Sequence, residues 1–218
     1  MAAESPSSRD KILDVAEALF ARRGFSGVGM REVADAAGLG KSSLFHHFRT
    51  KSQLYFEVID RVLGRIEERL APVLSSAAPP LAKVDRGIDA LVDALAEHPT
   101  TARLLLRSLF EDDDFPTEAQ EPEQAAADAR LQRLLAAIRR LLQDGVDQGV
   151  FRPVSVPHTM QTLIGALVFH FASGELGEQL LGEPLLSASS VSRRKEELRN
   201  LLHHGLVADP AQARRNDP

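Results

Sequence analysis

Residues 24–54 read GFSGVGMREVADAAGLGKSSLFHHFRTKSQL, and this stretch decides the fold. Two short segments of helical apolar spacing, 30–37 and 41–48, are separated only by Gly38-Leu39-Gly40. Two helices joined by a three-residue turn that opens on glycine form a helix-turn-helix, whose second helix enters the DNA major groove. Ala34 and Ala37 are small enough for the two helices to cross closely. Val33 and Leu39 fill the gap beneath them, and Leu44 and Phe48 bury the inner face of the second helix. Lys41, Ser42, Ser43, His46 and His47 are left outward, a set that suits base edges and phosphates better than a core. His47 also fits an inward, hydrogen-bonded position, and the bland reading of residues 30–48 is an ordinary helical hairpin.

Outward from this stretch the chain is helical almost everywhere. A first helix over 8–23 puts Ile12, Val15, Ala16, Leu19 and Phe20 on one face and stops at Gly24. Thr50-Lys51-Ser52-Gln53 is a capping box that opens a fourth helix, apolar at Tyr55, Val58, Ile59, Val62, Ile66 and Leu70 and ending near Pro72. Beyond a Ser/Ala/Pro linker, Leu81 to Leu95 mark an amphipathic segment, and 104–110 a second, with Pro99 where it could begin. The acidic run 111–116 reads as a mobile loop. A long helix carries Leu131 to Val146, 157–176 is apolar nearly all round, and a last helix spans 191–206. No stretch alternates as a half-buried strand would. The expected fold is all-α: an N-terminal three-helix helix-turn-helix domain over 1–53, a C-terminal helical bundle over 54–208, and a disordered tail over 209–218.

With 44% hydrophobic and 26% charged residues among 218, the chain is an ordinary globular one, large enough to bury roughly 70% of its unfolded surface. It has no Cys, which excludes disulfides, thiolate zinc sites, iron–sulfur clusters and cysteine nucleophiles, and suits a reducing cytosol. The start has no basic segment leading into an apolar one, and the most apolar stretch, 163–172, is short and contains His170, so a cytoplasmic protein with no membrane span is expected. Glycine loops for phosphate, GxSxG and HExxH are all missing, so no enzymatic activity and no cofactor are expected. Metal binding is not expected either: His158 and His170 are twelve residues apart, His203 and His204 point in different directions, and the acidic run 111–114 lacks partners at a defined spacing.

The net charge of −5 speaks against a nucleic-acid partner only as an average. Residues 1–53 hold eight Lys/Arg and six Asp/Glu, a net of +2, so the remainder carries −7. Two segments with different partners are implied.

Gly24-Phe25, Met30-Arg31-Glu32-Val33-Ala34, Ala37-Gly38-Leu39, Leu44-Phe45-His46-His47-Phe48 and Lys51-Ser52-Gln53-Leu54 together resemble the DNA-binding domain of TetR-type transcriptional regulators. The resemblance covers about a quarter of the chain. It implies that Lys41, Ser42, Ser43, Phe45 and His46 face bases and neighbouring phosphates, and that Lys51 meets a phosphate at a helix N-terminus. Three positions depart from the pattern: Gly29 where Ser or Thr is usual, Gly40 where Ser is usual, and Phe45 where Tyr is common. For the other three quarters it implies a helical ligand-binding and dimerisation domain. A pocket there would draw on Ile66, Leu105, Leu109, Phe110, Leu134, Ile138, Met160 and Ile164, and the scarcity of charge in those segments suits an apolar or aromatic effector. Leu163, Leu167, Phe171, Leu198, Leu201 and Leu202 are the candidate homodimer interface. The expected function is a homodimeric repressor released from a palindromic double-stranded DNA operator by a small-molecule effector. The alternative is a helical binding protein for a hydrophobic molecule without DNA function.

Overall fold

The computed structural model describes residues 7–108 and 122–208. In these residues the helices are α1 (Ser8–Arg23), α2 (Met30–Ala36), α3 (Lys41–His47), α4 (Lys51–Ser75), α5 (Pro80–Glu97), α6 (Pro99–Ser108), α7 (Pro122–Asp147), α8 (Val156–Ala172), α9 (Glu175–Leu181) and α10 (Ala188–Leu206). The expected acidic loop at 111–116 and the tail from 209 lie outside the described residues. No helix among the described residues is long and apolar enough to cross a membrane.

The chain divides into two compact units, and the division falls within α4 and α7: one unit holds the described parts of Met1–Gly64 and Pro99–Leu131, the other those of Arg65–His98 and Gln132–Pro218. A boundary at 53/54 was expected instead. In the first unit α6 packs on α1, where the Thr100 hydroxyl donates to the buried Glu17 carboxylate at 2.8 Å and Arg107 donates to the Arg22 carbonyl. The start of α7 is tied to α4 by Arg130, which grips Asp60 with Nε at 2.7 Å and Nη2 at 3.2 Å. These partners lie 70 or more residues apart in sequence, which is why spacing alone cannot assign α6 to the N-terminal helices.

Helix ends follow local chemistry. The Ser7 hydroxyl accepts from the Asp10 N–H at 3.1 Å to open α1, and Gly24, at φ +73°, closes it. α4 runs about one turn past Pro72 to Ser75. α7 begins at Pro122, well before the leucine stripe that announces it, with proline at a first-turn position where a missing N–H costs nothing. The apolar run 157–176 is not one helix. α8 ends at Ala172, Gly174 takes φ +56°, and the short α9 follows.

In the second unit α5 and α10 run antiparallel along a ladder of charges. Asp85, Asp89 and Asp93, one helical turn apart, meet His203 at 2.8 Å, Arg199 at 2.8 Å and Lys195 at 2.6 Å. Each exposed pair contributes at most about 1 kcal/mol, so the ladder matters more for register than for stability. The Phe151 ring lies against the α7 backbone at Gly145, where a Cβ would stand 2.1 Å from ring carbons. The loop carrying Phe151 pairs with the end of α10, the Arg152 N–H donating to the Leu206 carbonyl at 2.8 Å.

Candidate DNA-binding face and effector cavity

The turn between α2 and α3 is a Schellman motif. The Gly38 N–H donates to the Asp35 carbonyl at 3.1 Å and the Leu39 N–H to the Ala34 carbonyl at 2.9 Å. Gly38 sits at φ +68°, a left-handed conformation that costs an L-residue about 1–2 kcal/mol. Val33, Ala34, Leu44 and Phe48 are buried as the sequence requires. Consequently Lys41, Ser42, Phe45 and His46 are exposed and Ser43 is half-buried, so five of the six expected DNA-facing residues share one helix. Phe45 is 38% exposed, with the Lys41 ammonium 5.6 Å from its ring centroid. His47 is half-buried beside Phe48.

The sixth residue, Lys51, is used internally. Its Nζ donates to the Phe25 carbonyl at 3.0 Å and lies 4.2 Å from the Phe25 ring centroid. Phe25, Phe20 and Tyr55 form one aromatic cluster with centroids 5.0–6.4 Å apart, so Lys51 latches the start of α4 to the loop after α1. The capping box differs by one residue from expectation. The Gln53 N–H donates to the Thr50 hydroxyl at 2.9 Å, but the Gln53 side-chain oxygen accepts from the Arg49 N–H at 2.8 Å, and its amide nitrogen reaches Glu123 at 3.0 Å. Neither α2 nor α3 has a side-chain cap, since Gly29 and Gly40 stand at those positions.

The second unit contains a cavity of about 80 Å³ walled by α4, α5, α7, α8 and α10. Ile138, Met160 and Ile164 line it as expected, together with Leu70, Ile88, Leu142, Leu163, Leu167, Leu198 and Leu202. Ile66 and Leu134 are buried but do not line it. Leu105 belongs to the first unit, and Leu109 and Phe110 lie outside the described residues. Lys83 is the charged lining residue, and its Nζ donates to the Leu74 carbonyl at 3.0 Å.

Of the expected dimer residues, Leu167, Phe171, Leu198 and Leu202 are buried inside the protomer and Leu163 lines the cavity, because the inward stripes of α8 and α10 meet each other. Leu201 is 62% exposed, and Phe169 and Leu180 at 53% and 72% are exposed apolar groups that the spacing did not single out. Spacing also missed His170 and Arg194, which lie between α8 and α10. Burial, and then the Arg194 charge, push the His170 pKa down to about 4. The signal for Arg194 was present in its four-residue spacing from Ser190 and Leu198, both buried.

A helix-turn-helix with an exposed polar face and a helical unit with an apolar cavity together define a DNA-binding protein with room for a small molecule. Residues 12–58 match the model of bacterial regulatory proteins of the tetR family, and residues 80–201 that of a tetracyclin repressor-like C-terminal domain. The transcriptional repressor KstR2 of Mycolicibacterium smegmatis is 31% identical over 157 residues, which cover 70% of this chain and 74% of that protein. The structure of the ketosteroid transcriptional regulator KstR2 of Mycobacterium tuberculosis superposes with a TM-score of 0.73 at 22% identity, covering 95% of this chain and 99% of the other. AibR, solved in complex with isovaleryl coenzyme A and operator DNA, superposes with a TM-score of 0.71 at 18% identity, covering 89% and 97%. The chain belongs to the TetR family of transcriptional regulators, a class of DNA-binding proteins and not of enzymes.

Two predictions follow from this geometry. Gly38→Ala forces a side chain into the left-handed region and lowers stability by about 1 kcal/mol or more; Gly40→Ser adds a hydroxyl where a Cβ meets nothing within 4 Å and raises it by a few tenths. Urea unfolding measures both. His170 binds a proton near pH 6.5 in the unfolded chain but near 4 in the folded one. Its contribution is complete above about pH 6.5 and is lost as pH falls toward 4, on the order of 3 kcal/mol at full extent. Stability measured across that window is less acid-sensitive in His170→Phe than in the parent.

Proposed function

We propose that the chain is a homodimeric repressor that reads a palindromic DNA operator with α3 and is released by a small, largely apolar effector held in the cavity of the second unit, and that it works in the cytoplasm. The observation that carries this reading is the exposed face of α3, on which Lys41, Ser42, Phe45 and His46 lie together on a helix buried at Leu44. Lys41 and His46 supply hydrogen-bond donors for base edges, Ser42 and Ser43 reach bases or phosphates, and Phe45 presents an apolar surface to a thymine methyl. Lys51 acts from behind, holding α4 against Phe25. The names of KstR2 as a repressor and of AibR with coenzyme A thioester and operator support the repressor and effector parts.

A second copy covers Phe169, Leu180 and Leu201, which are too apolar to face water together. Two-fold symmetry then places two copies of α3 on successive major grooves. α4 contributes Lys51 to one unit and Leu70 to the cavity wall of the other. It is the element through which occupancy of the cavity alters the pose of α3, and an effector acts only by its difference in affinity between the two states. The alternative, a carrier of a hydrophobic molecule, leaves the polar face of α3 without a role.

Selection from a random duplex pool at low salt tests the reading. The expected product is a palindrome; recovery of no common sequence overturns it. Lys41→Ala and His46→Ala each change which bases are preferred, at a cost of about 1–3 kcal/mol on the parent site. Lys51→Ala lowers the melting temperature and weakens all sequences alike. Equal loss on selected and random DNA from all three substitutions contradicts the assignment of α3 as the reading helix.

A further inference from the structure

One helical turn beyond Leu167 and Leu198, which line the cavity, the seam between α8 and α10 changes from apolar to polar. Arg194 occupies the inward position one turn before Leu198, and its guanidinium donates to the carbonyl of Ala166, the residue before Leu167. The Arg194 Nε and the His170 Nε2 are both buried with no hydrogen-bond partner among the described residues. His170 as a whole is only 9% exposed, and Arg194 forms no ion pair among the described residues. A buried donor without a partner carries an uncompensated desolvation cost. An apolar residue at 194 would remove that penalty, so the arrangement makes physical sense if an anion joins it.

Two other cations are near the cavity, and neither has the same character. Lys83 is occupied by the Leu74 carbonyl. Arg139 borders an open depression on the other side of Met160 and Ile164. Among the described residues, Arg194 and His170 combine buried, unpartnered nitrogen atoms with positions one helical turn from the lining residues Leu198 and Leu167.

We propose that the effector is an amphiphilic acid whose hydrocarbon body fills the cavity and whose carboxylate is bound by Arg194 and His170. This rests on the reading of the cavity as the effector site. The Arg194 Nε–H and the His170 Nε2–H each donate to a carboxylate oxygen, and the guanidinium supplies the counter-charge. A cavity of about 80 Å³ has room for roughly five to eight water-sized groups, so the body is a short or medium hydrocarbon. A neutral molecule with the same body leaves the guanidinium unpaired and binds less well, because a site built to pair polar groups rejects the ligand that lacks them.

The test uses the full chain, with hexanoate and hexan-1-ol as probes in titration calorimetry. Hexanoate is expected to bind at least tenfold more tightly than hexan-1-ol. In Arg194→Met that preference disappears while hexan-1-ol affinity stays within about twofold, and the variant folds, since Met retains the apolar stem of the half-buried Arg194. His170→Phe reduces the preference severalfold, and Lys83→Met and Arg139→Met leave it intact. Equal binding of the two probes by the parent overturns the inference and leaves the cavity reading standing. So does a preference that survives Arg194→Met, or one lost in Lys83→Met or Arg139→Met. Survival of the preference together with a shift in the monomer–dimer balance of Arg194→Met assigns the pair to a second copy of the chain instead. Binding of neither probe overturns the inference and the cavity reading together.

Discussion

The left-handed turn at Gly38 is the constraint on which the reading head depends. Only a residue at positive φ lets the Gly38 and Leu39 N–H groups return to the Asp35 and Ala34 carbonyls and still deliver the chain to Gly40 in time to start α3. That geometry sets Leu44 and Phe48 against Val33 and Ala34, and burial of those four residues turns the opposite face of α3 outward. The exposure of Lys41, Ser42, Phe45 and His46 is thus a consequence of a backbone conformation three residues before α3 begins. The aromatic cluster of Phe20, Phe25 and Tyr55, with Lys51 across it, secures the next helix to the same platform.

Charge is distributed according to a different logic from the overall −5. Residues 1–53 carry a slight excess of basic groups, but several are committed within the protein: Arg9 to Glu57, Arg23 to Glu32 and Lys51 to Phe25. Lys11, Arg22, Arg31, Lys41 and Arg49 remain exposed. A head with few exposed cations makes few phosphate contacts, so its non-specific affinity is modest and its salt dependence shallow. Base contacts from α3 must then supply a larger share of operator affinity than in a strongly basic protein. The acidic residues elsewhere serve in part as register, as the Asp85, Asp89 and Asp93 ladder along α10 illustrates.

Most of the helices and the whole of the α3 face were legible in the sequence, because they depend on local signals: glycine at helix ends, apolar spacing, and a cap at Thr50. What was hidden depended on tertiary partners. Nothing near residue 99 announces that α6 packs on α1. α9 was lost inside an apolar run because composition does not reveal that Gly174 turns the chain. Of the six expected pocket residues that are described, Ile66, Leu105 and Leu134 do not line the cavity, since an inward leucine in a bundle has the same spacing whether it meets another side chain or a space. The expected dimer leucines illustrate the same limit: Leu198 and Leu202 are buried and line the cavity within the protomer, and Leu201, between them in sequence, is exposed. Lys51, expected to meet a phosphate, donates in this structure to the Phe25 carbonyl and lies over the Phe25 ring, a tertiary contact that spacing does not announce.

The central claim is that α3 enters the major groove of operator DNA as one of a symmetric pair. Protection of guanine N7 from methylation on a selected operator tests it most directly, because N7 is exposed only in the major groove. The account predicts two protected clusters on one face of the duplex, about 10–10.5 base pairs apart or a multiple of that spacing, both lost on substitution of Lys41 and His46. No protection at guanine N7, with protection only at adenine N3 in the minor groove, or a single unpaired cluster unaffected by those substitutions, would contradict it.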